Sequence, residues 1–235
     1  MIPGWLRRVL IGLGLFEIAY VVAGVALVQS GQVHRWLNNK PEKRKISFTS
    51  AWTVIPGLAH IREFRMTHQG PKDQVGLVVD RATAFVNPLE LIGRRIHVLG
   101  LHARGVEFRY RKRPENPAEA EGRAAIVPPI EGLDYEPYDG PPGEKKRGWT
   151  VVFTGARVRE VRDVWAEAFR LQGGGDVAAS VTIGAGVDKL ISIRSASIRY
   201  RGGEILVAGT PAAEHVDLSV DGQMEPFYTK QTRGK

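Results

Sequence analysis

Residues 96–111 read Ile-His-Val-Leu-Gly-Leu-His-Ala-Arg-Gly-Val-Glu-Phe-Arg-Tyr-Arg, and this stretch decides the fold. Ile96, Val98, Val106, Phe108 and Tyr110 fall on one side, while Glu107, Arg109 and Arg111 fall on the other. Alternation with period two is the signature of a strand with one apolar and one polar face. Gly100 and Gly105 interrupt the run, which predicts bulges or bends in a long strand. Just upstream, Asn87-Pro88-Leu89-Glu90-Leu91-Ile92 places a capping residue before a proline, the pattern of a short helical turn.

The same texture recurs outward in both directions. Residues 61–66 and 75–86 precede the central strand, and residues 149–158, 163–171, 177–183, 190–200, 204–208 and 215–221 follow it. Glycine clusters at 173–175, 184–186, 202–203 and 209 read as turns between them, at a spacing that predicts an antiparallel meander. Residues 159–169 also fit a helical stripe through Val161, Val164, Trp165 and Ala168. The β-branched valines favour strand there, and the helix stays open as the alternative.

Residues 113–148 differ from everything around them. They hold seven of the 14 prolines and a glutamate-rich run, which predicts a partly disordered insertion between two strand groups, 46–112 and 149–227. Ile126-Val127-Pro128-Pro129-Ile130 is its candidate contact segment for a partner.

At the N-terminus, Val9 to Val28 forms twenty residues with one ionisable side chain, Glu17. Such a run matches the hydrocarbon thickness of a bilayer. We read residues 1–35 as a membrane anchor, with a cleaved signal peptide as the rival, and 36–45 as a basic linker. Glu17 faces a partner helix or belongs to a plain anchor. The basic residues after the helix argue for a cytoplasmic domain by the positive-inside rule, which long translocated domains override.

The chain of 235 residues carries 33 Lys plus Arg against 25 Asp plus Glu. Seven basic and two acidic residues lie in the first 45, so the remainder is nearly balanced and is weak evidence for nucleic acid. With no cysteine, disulfides, thiol nucleophiles and cysteine-ligated metals are excluded. The six histidines show no convergent metal spacing; His97 and His102, five apart, read as opposite faces of one strand. No zincin, phosphate-loop or nucleophile-elbow motif is present, and Asp80, Asp163, Asp176 and Asp188 show no spacing that calls for an acid/base pair. The expectation is no catalytic residue, no metal and no cofactor. Arginine–aromatic mixtures such as Phe108 to Arg113 suit a base-stacking platform, but they equally suit a strand with a solvated arginine face.

The anchor, the segment Val86 to Leu101 with its continuation Gly105 to Tyr110, and the later runs Ser195 to Tyr200, Gly202 to Ile205 and Val216 to Val220 together resemble the AsmA-like, TamB-type envelope protein superfamily. The likeness covers most of residues 46–223 and lies in texture and spacing. This chain is much shorter than the large members and ends in a basic tail, 228–235. The resemblance implies a mainly β fold: an N-terminal transmembrane helix followed by a curved, groove-like antiparallel sheet with one or two short helices. It further implies a single-pass inner-membrane protein with a periplasmic β-domain, acting without catalysis in lipid transport or envelope assembly. Phospholipid or membrane is the implied partner, and nucleic acid is not. Proteins would bind at the sheet edge or the 113–148 insertion. Lipid-facing candidates are Val106, Phe108, Tyr110, Val151, Phe153, Val181, Ile183, Ile198 and Tyr200; Glu17 is the candidate contact within the membrane. The alternative is an anchored structural accessory subunit with no lipid groove.

Overall fold

The computed structural model describes residues 35, 38, 43–53, 57–140, 148–184 and 188–230. The anchor segment 9–28, Glu17 and the tail beyond residue 230 lie outside them. Among the described residues, no helix is long and apolar enough to cross a membrane.

Nine strands form one sheet: β1 (Arg44–Ser47), β2 (Ser50–Trp52), β3 (Leu58–Gln69), β4 (Asp73–Val86), β5 (Arg95–Lys112), β6 (Thr150–Ala166), β7 (Phe169–Gly184), β8 (Asp188–Val207) and β9 (Thr210–Lys230). Their spatial order follows the chain, with β1 and β2 both paired to β3 at one edge and β9 at the other. A short 3-10 helix, Pro88–Gly93, joins β4 to β5 as the Asn87-Pro88 signal predicts, and the Asn87 side chain accepts from the Leu89 N–H at 3.2 Å.

The sheet departs from the expected meander at one place. β5 and β6 run parallel, whereas every other pair is antiparallel. A parallel pair needs a long connection, and the proline-rich insertion supplies it. The insertion therefore divides the chain without dividing the sheet.

Two glycine clusters also lie elsewhere than predicted. Gly173 to Gly175 sits within β7, and Gly202-Gly203 within β8, so the strands are longer and fewer than the glycine punctuation implies. The reason at Gly175 is steric, because a Cβ there would stand 2.1 Å from the Tyr200 ring on the paired strand. Residues 159–169 follow the strand reading up to Ala166, and the chain then reverses through Glu167-Ala168. The β8–β9 turn is Ala208-Gly209, both at positive φ (50° and 79°), the two-residue hairpin geometry that matches strand twist.

Gly100 (φ 56°) and Gly105 (φ 67°) provide the expected bends in β5. The register slip beside Gly100 has a consequence for the histidines, because Leu99 and His102 face β4 residues Phe85 and Thr83 on the same side. His97 and His102 thus share a face, contrary to the simple two-residue count.

Of the insertion expected to be partly disordered over 113–148, residues 113–140 pack as a strap across the polar face of β4 and β5, and 141–147 lie outside the described residues. Asn116 caps helix α1 (Pro117–Arg123) by accepting from the Glu119 N–H. Beyond it Val127, Pro128 and Ile130 are buried. The apolar prolines and Ile130 fill space over Gly76, whose missing side chain leaves room for the Ile130 methyl. Arg111 fastens the strap. Its guanidinium, 4% exposed, donates to Gln74 Oε1 (2.7 Å), Pro128 O (3.0 Å) and Leu133 O (2.8 Å), and it lies over the Tyr135 ring at 4.9 Å. Gln74, fully buried, donates onward to Asp134 O at 2.9 Å. A composition poor in apolar side chains is ordered here by hydrogen bonds to its backbone carbonyls, which no residue count registers.

Candidate functional site

The register resolves the sheet into two chemically distinct faces. One transverse row runs Phe64–Val79–Val106–Val161–Gly175–Tyr200–Leu218 from β3 to β9. A second runs Met66–Leu77–Phe108–Val164–Leu171–Ile205–Ala213. On the other side of the first lies Ile61–Ala82–Ala103–Val158–Val177–Ile198–Val220. Towards the Gly184 end follow Val98–Phe153–Val181–Ile193–Met224 and Ile96–Val151–Ile183–Ile191. Val177, Ala179, Val181 and Ile183 alternate along β7 without interruption and tie these rows to one face.

All nine lipid-facing candidates fall on this apolar face. They are not equivalent. Val106 and Tyr200, at 9% and 2% exposure, belong to the core cluster with Val79, Ala103, Val161 and Leu171 and offer no surface. Tyr200 lies over Gly175 and donates its hydroxyl to Val161 O at 2.6 Å, and burial pushes its phenol up to about 12. Phe108, Tyr110, Val151, Phe153, Val181 and Ile198 are half-buried, and Ile183 is 44% exposed.

Five further apolar side chains on the same face are exposed without having been singled out in the sequence: Ile191, Val220, Met224 and, in the row of Tyr110 and Ala166, Phe169 paired with Val207. Their common signal is position at the margins of the sheet: Phe169 and Val207 beside the β6–β7 and β8–β9 turns, Ile191 and Met224 towards the Gly184 end, and Val220 on the edge strand β9. Among the described residues every named strand belongs to this one sheet, so no second sheet covers the face.

The opposite face is polar. One row reads Arg62–Arg81–Arg104–Arg159, with Arg199 facing Asp176 two strands further on. The adjacent row reads His60–Thr83–His102–Arg157–Ala178–Ser197–Asp221. Arg104 is held by Glu160, with its Nε donating at 2.7 Å, and that hydrogen bond keeps the Glu160 carboxyl below its usual range. No aromatic residue interleaves with the arginines on this row, because Phe108 and Tyr110 point the other way. The mixture of Phe108, Arg109, Tyr110 and Arg111 weighed from the sequence thus divides its aromatics and its arginines between opposite faces.

The polar groups scanned for chemistry remain dispersed. Asp80 meets Arg162 at 3.0 Å, Asp163 takes both Arg170 nitrogens at 2.9 and 3.1 Å, and Asp176 accepts from the Glu160 N–H at 3.4 Å. His97 sits between Glu90 (2.8 Å) and Thr154 (3.0 Å), so both ring nitrogens are engaged. Among the described residues, no three His, Asp or Glu side chains converge in a metal-binding group. A cavity of about 400 Å³ between the strap and the polar face is ringed by Arg65–Glu131, Arg162–Asp80 and Arg162–Glu107 pairs at 2.8, 3.0 and 3.2 Å. Around it four cations, Lys45, Arg65, Arg109 and Arg162, face three carboxylates, Asp80, Glu107 and Glu131.

Comparison of the chain with protein-family models, with curated proteins and with solved structures finds no match in any of the three.

Proposed function

We propose that this chain is a non-enzymatic, membrane-anchored envelope protein, similar to AsmA-like proteins, whose apolar sheet face receives the acyl chains of phospholipid during lipid transport or envelope assembly. The observation that carries the reading is the continuous apolar face from β3 to β9, filled at its centre by its own side chains yet exposed at Phe169, Ile183, Ile191, Val207, Val220 and Met224. Soluble proteins rarely leave a contiguous apolar band of this extent in water, and acyl chains cover such a band without needing hydrogen bonds. A groove-like curvature of the sheet, an inner-membrane anchor over residues 1–35 and a periplasmic position of the β-domain are parts of the same proposal.

The test is purification of the full chain in mild detergent followed by mass spectrometry of co-extracted lipid. Phospholipid in stoichiometric amount is expected with the wild type and is reduced in Ile183→Glu and Ile191→Glu, whose exposed positions tolerate the charge without loss of folding. A wild-type protein free of lipid, or folded variants that retain it, overturns the reading.

One observation favours the alternative of a structural accessory subunit. Among the described residues β9 pairs only with β8, so the other edge of this 21-residue strand meets no further strand there, a template for a partner strand.

A further inference from the structure

Four arginines directly opposite one another on neighbouring strands are an unfavourable arrangement. Strands lie about 4.8 Å apart, so Arg62, Arg81, Arg104 and Arg159 span about 14 Å of the polar face. Like charges in such cross-strand positions repel, and a ladder of them lowers the stability of the sheet that carries it. Among the described residues, Arg104 alone of the four has an acidic partner, Glu160. Arg62, Arg81 and Arg159 are exposed and have no side-chain partner among the described residues, and the same holds for Arg157 and Arg199 beside them. The acids beside these rows are Glu160 on Arg104, Asp80 on Arg162, Asp176 opposite Arg199, and Asp221 at the far end, which leaves Arg62, Arg81 and Arg159 as an excess of positive charge on β3–β6. Around Arg157 the floor is built of small residues, Ala178, Ser180, Ser195 and Ser197, with Asp221 at its far side, which leaves the Arg157 guanidinium above an open bed.

We infer that this arginine face docks on the headgroups of an anionic phospholipid surface. Charge complementarity assigns the occupant, since closely spaced phosphates relieve the repulsion that the bare ladder bears. The openness of the face suits a surface rather than an enclosed ligand. Single-stranded nucleic acid would need several aromatic platforms in step with the cations, and beside the arginine row only Trp52, stacked on His60 at 3.9 Å, stands exposed among the described residues. The inference goes beyond the acyl-chain reading, because it concerns the opposite face and a second membrane contact made by headgroups alone.

The experiment separates the two. Full-chain protein is reconstituted in nanodiscs of phosphatidylcholine and mixed with separate vesicles of phosphatidylcholine, with or without phosphatidylglycerol, and vesicle flotation reports capture. Capture by the phosphatidylglycerol vesicles alone is expected, and it weakens with salt. Each arginine removed from Arg62→Gln, Arg81→Gln and Arg159→Gln costs about fivefold in affinity, so the triple variant binds about a hundredfold less. These exposed substitutions keep the side-chain stem, and circular dichroism verifies the fold. Equal capture by neutral vesicles, or wild-type capture by the folded triple variant, overturns the inference. Displacement by inorganic phosphate would make this a free-anion site, and displacement by duplex DNA at matched phosphate would make it a nucleic-acid face; either result also overturns it. Ile183→Glu and Ile191→Glu, which remove lipid from the apolar face, leave this capture unchanged.

Discussion

Arg111→Met removes the buried cation among those that bind the strap to the sheet and keeps an apolar stem of similar length. Three acceptors lose their donor at once: Gln74 Oε1, Pro128 O and Leu133 O. An acceptor left buried without a partner costs about 1–3 kcal/mol, and three of them set an upper range of about 3–9 kcal/mol. Against this stands relief from burying a guanidinium that has no carboxylate in contact, a burial strong enough to hold the Arg111 pKa below its ordinary value. Partial rehydration of the Pro128 and Leu133 carbonyls lowers the cost again, and the balance is about 3–4 kcal/mol. The assay is urea unfolding of wild type, Arg111→Met, Gln74→Leu and the double variant. Since Gln74 Nε2 also serves Asp134 O at 2.9 Å, the two single changes act on one network, and the double variant should cost about 1–2 kcal/mol less than their sum. Limited proteolysis gives a second readout, with residues 113–140 cleaved faster in Arg111→Met while β6 to β9 stay protected. A loss below about 1 kcal/mol with an unchanged cleavage pattern refutes the assignment of Arg111 as the fastener.

Gly175→Ala drives a methyl to 2.1 Å from the Tyr200 ring, and a cost of about 1–3 kcal/mol in thermal or urea unfolding is expected; a neutral substitution refutes the ring-over-glycine packing. Tyr200→Phe forfeits the 2.6 Å hydrogen bond to Val161 O and leaves that carbonyl unmet, a loss of about 1–2 kcal/mol by the same measurement. Because burial raises the Tyr200 phenol from 10.0 to about 12, its contribution is complete below pH 10 and is lost as pH climbs towards 12. Phenolate absorbance should therefore rise late for this residue, and Tyr200→Phe should show a shallower alkaline decline in stability. Glu90 is depressed chiefly by its hydrogen bond to His97, aided by the charges of His97 and Arg95 and by Asn87. The stability it confers is present above the ordinary carboxylate range and fades as pH falls through its lowered value, so the difference in melting temperature between wild type and Glu90→Gln should narrow on acidification.

The two faces of the sheet were legible from alternation alone, because register in a half-buried strand is locked by which side chains are oily. All nine apolar candidates consequently share a face. What alternation cannot weigh is how far each position stands from the centre: Tyr200 and Ile183 look alike as letters, yet one is sealed over Gly175 and the other lies near the strand end. Glycine misled the element boundaries, since the same residue serves as a turn and as the clearance that lets an aromatic ring cross a strand. The helical turn at Pro88 was readable because capping chemistry is local. The strap was not, as its order depends on carbonyls meeting Arg109, Arg111 and Arg113 from β5, partners remote in sequence and chosen by backbone position. The arginine row was hidden for a related reason. Arg62, Arg81, Arg104 and Arg159 come from four strands, and nothing but the pairing register brings them into line.

The lone parallel pairing carries a kinetic consequence. Strands on either side of it, β1 to β5 and β6 to β9, are each stitched by short reversals and condense from near neighbours in the chain, whereas the seam between β5 and β6 must wait for residues 113–149 to swing the full length of the crossover. Each half thus gathers early and the union comes late. Until it does, Val106 and Val161 stand bare at the two edges that will later meet, the interval in which the chain is most exposed to mispairing.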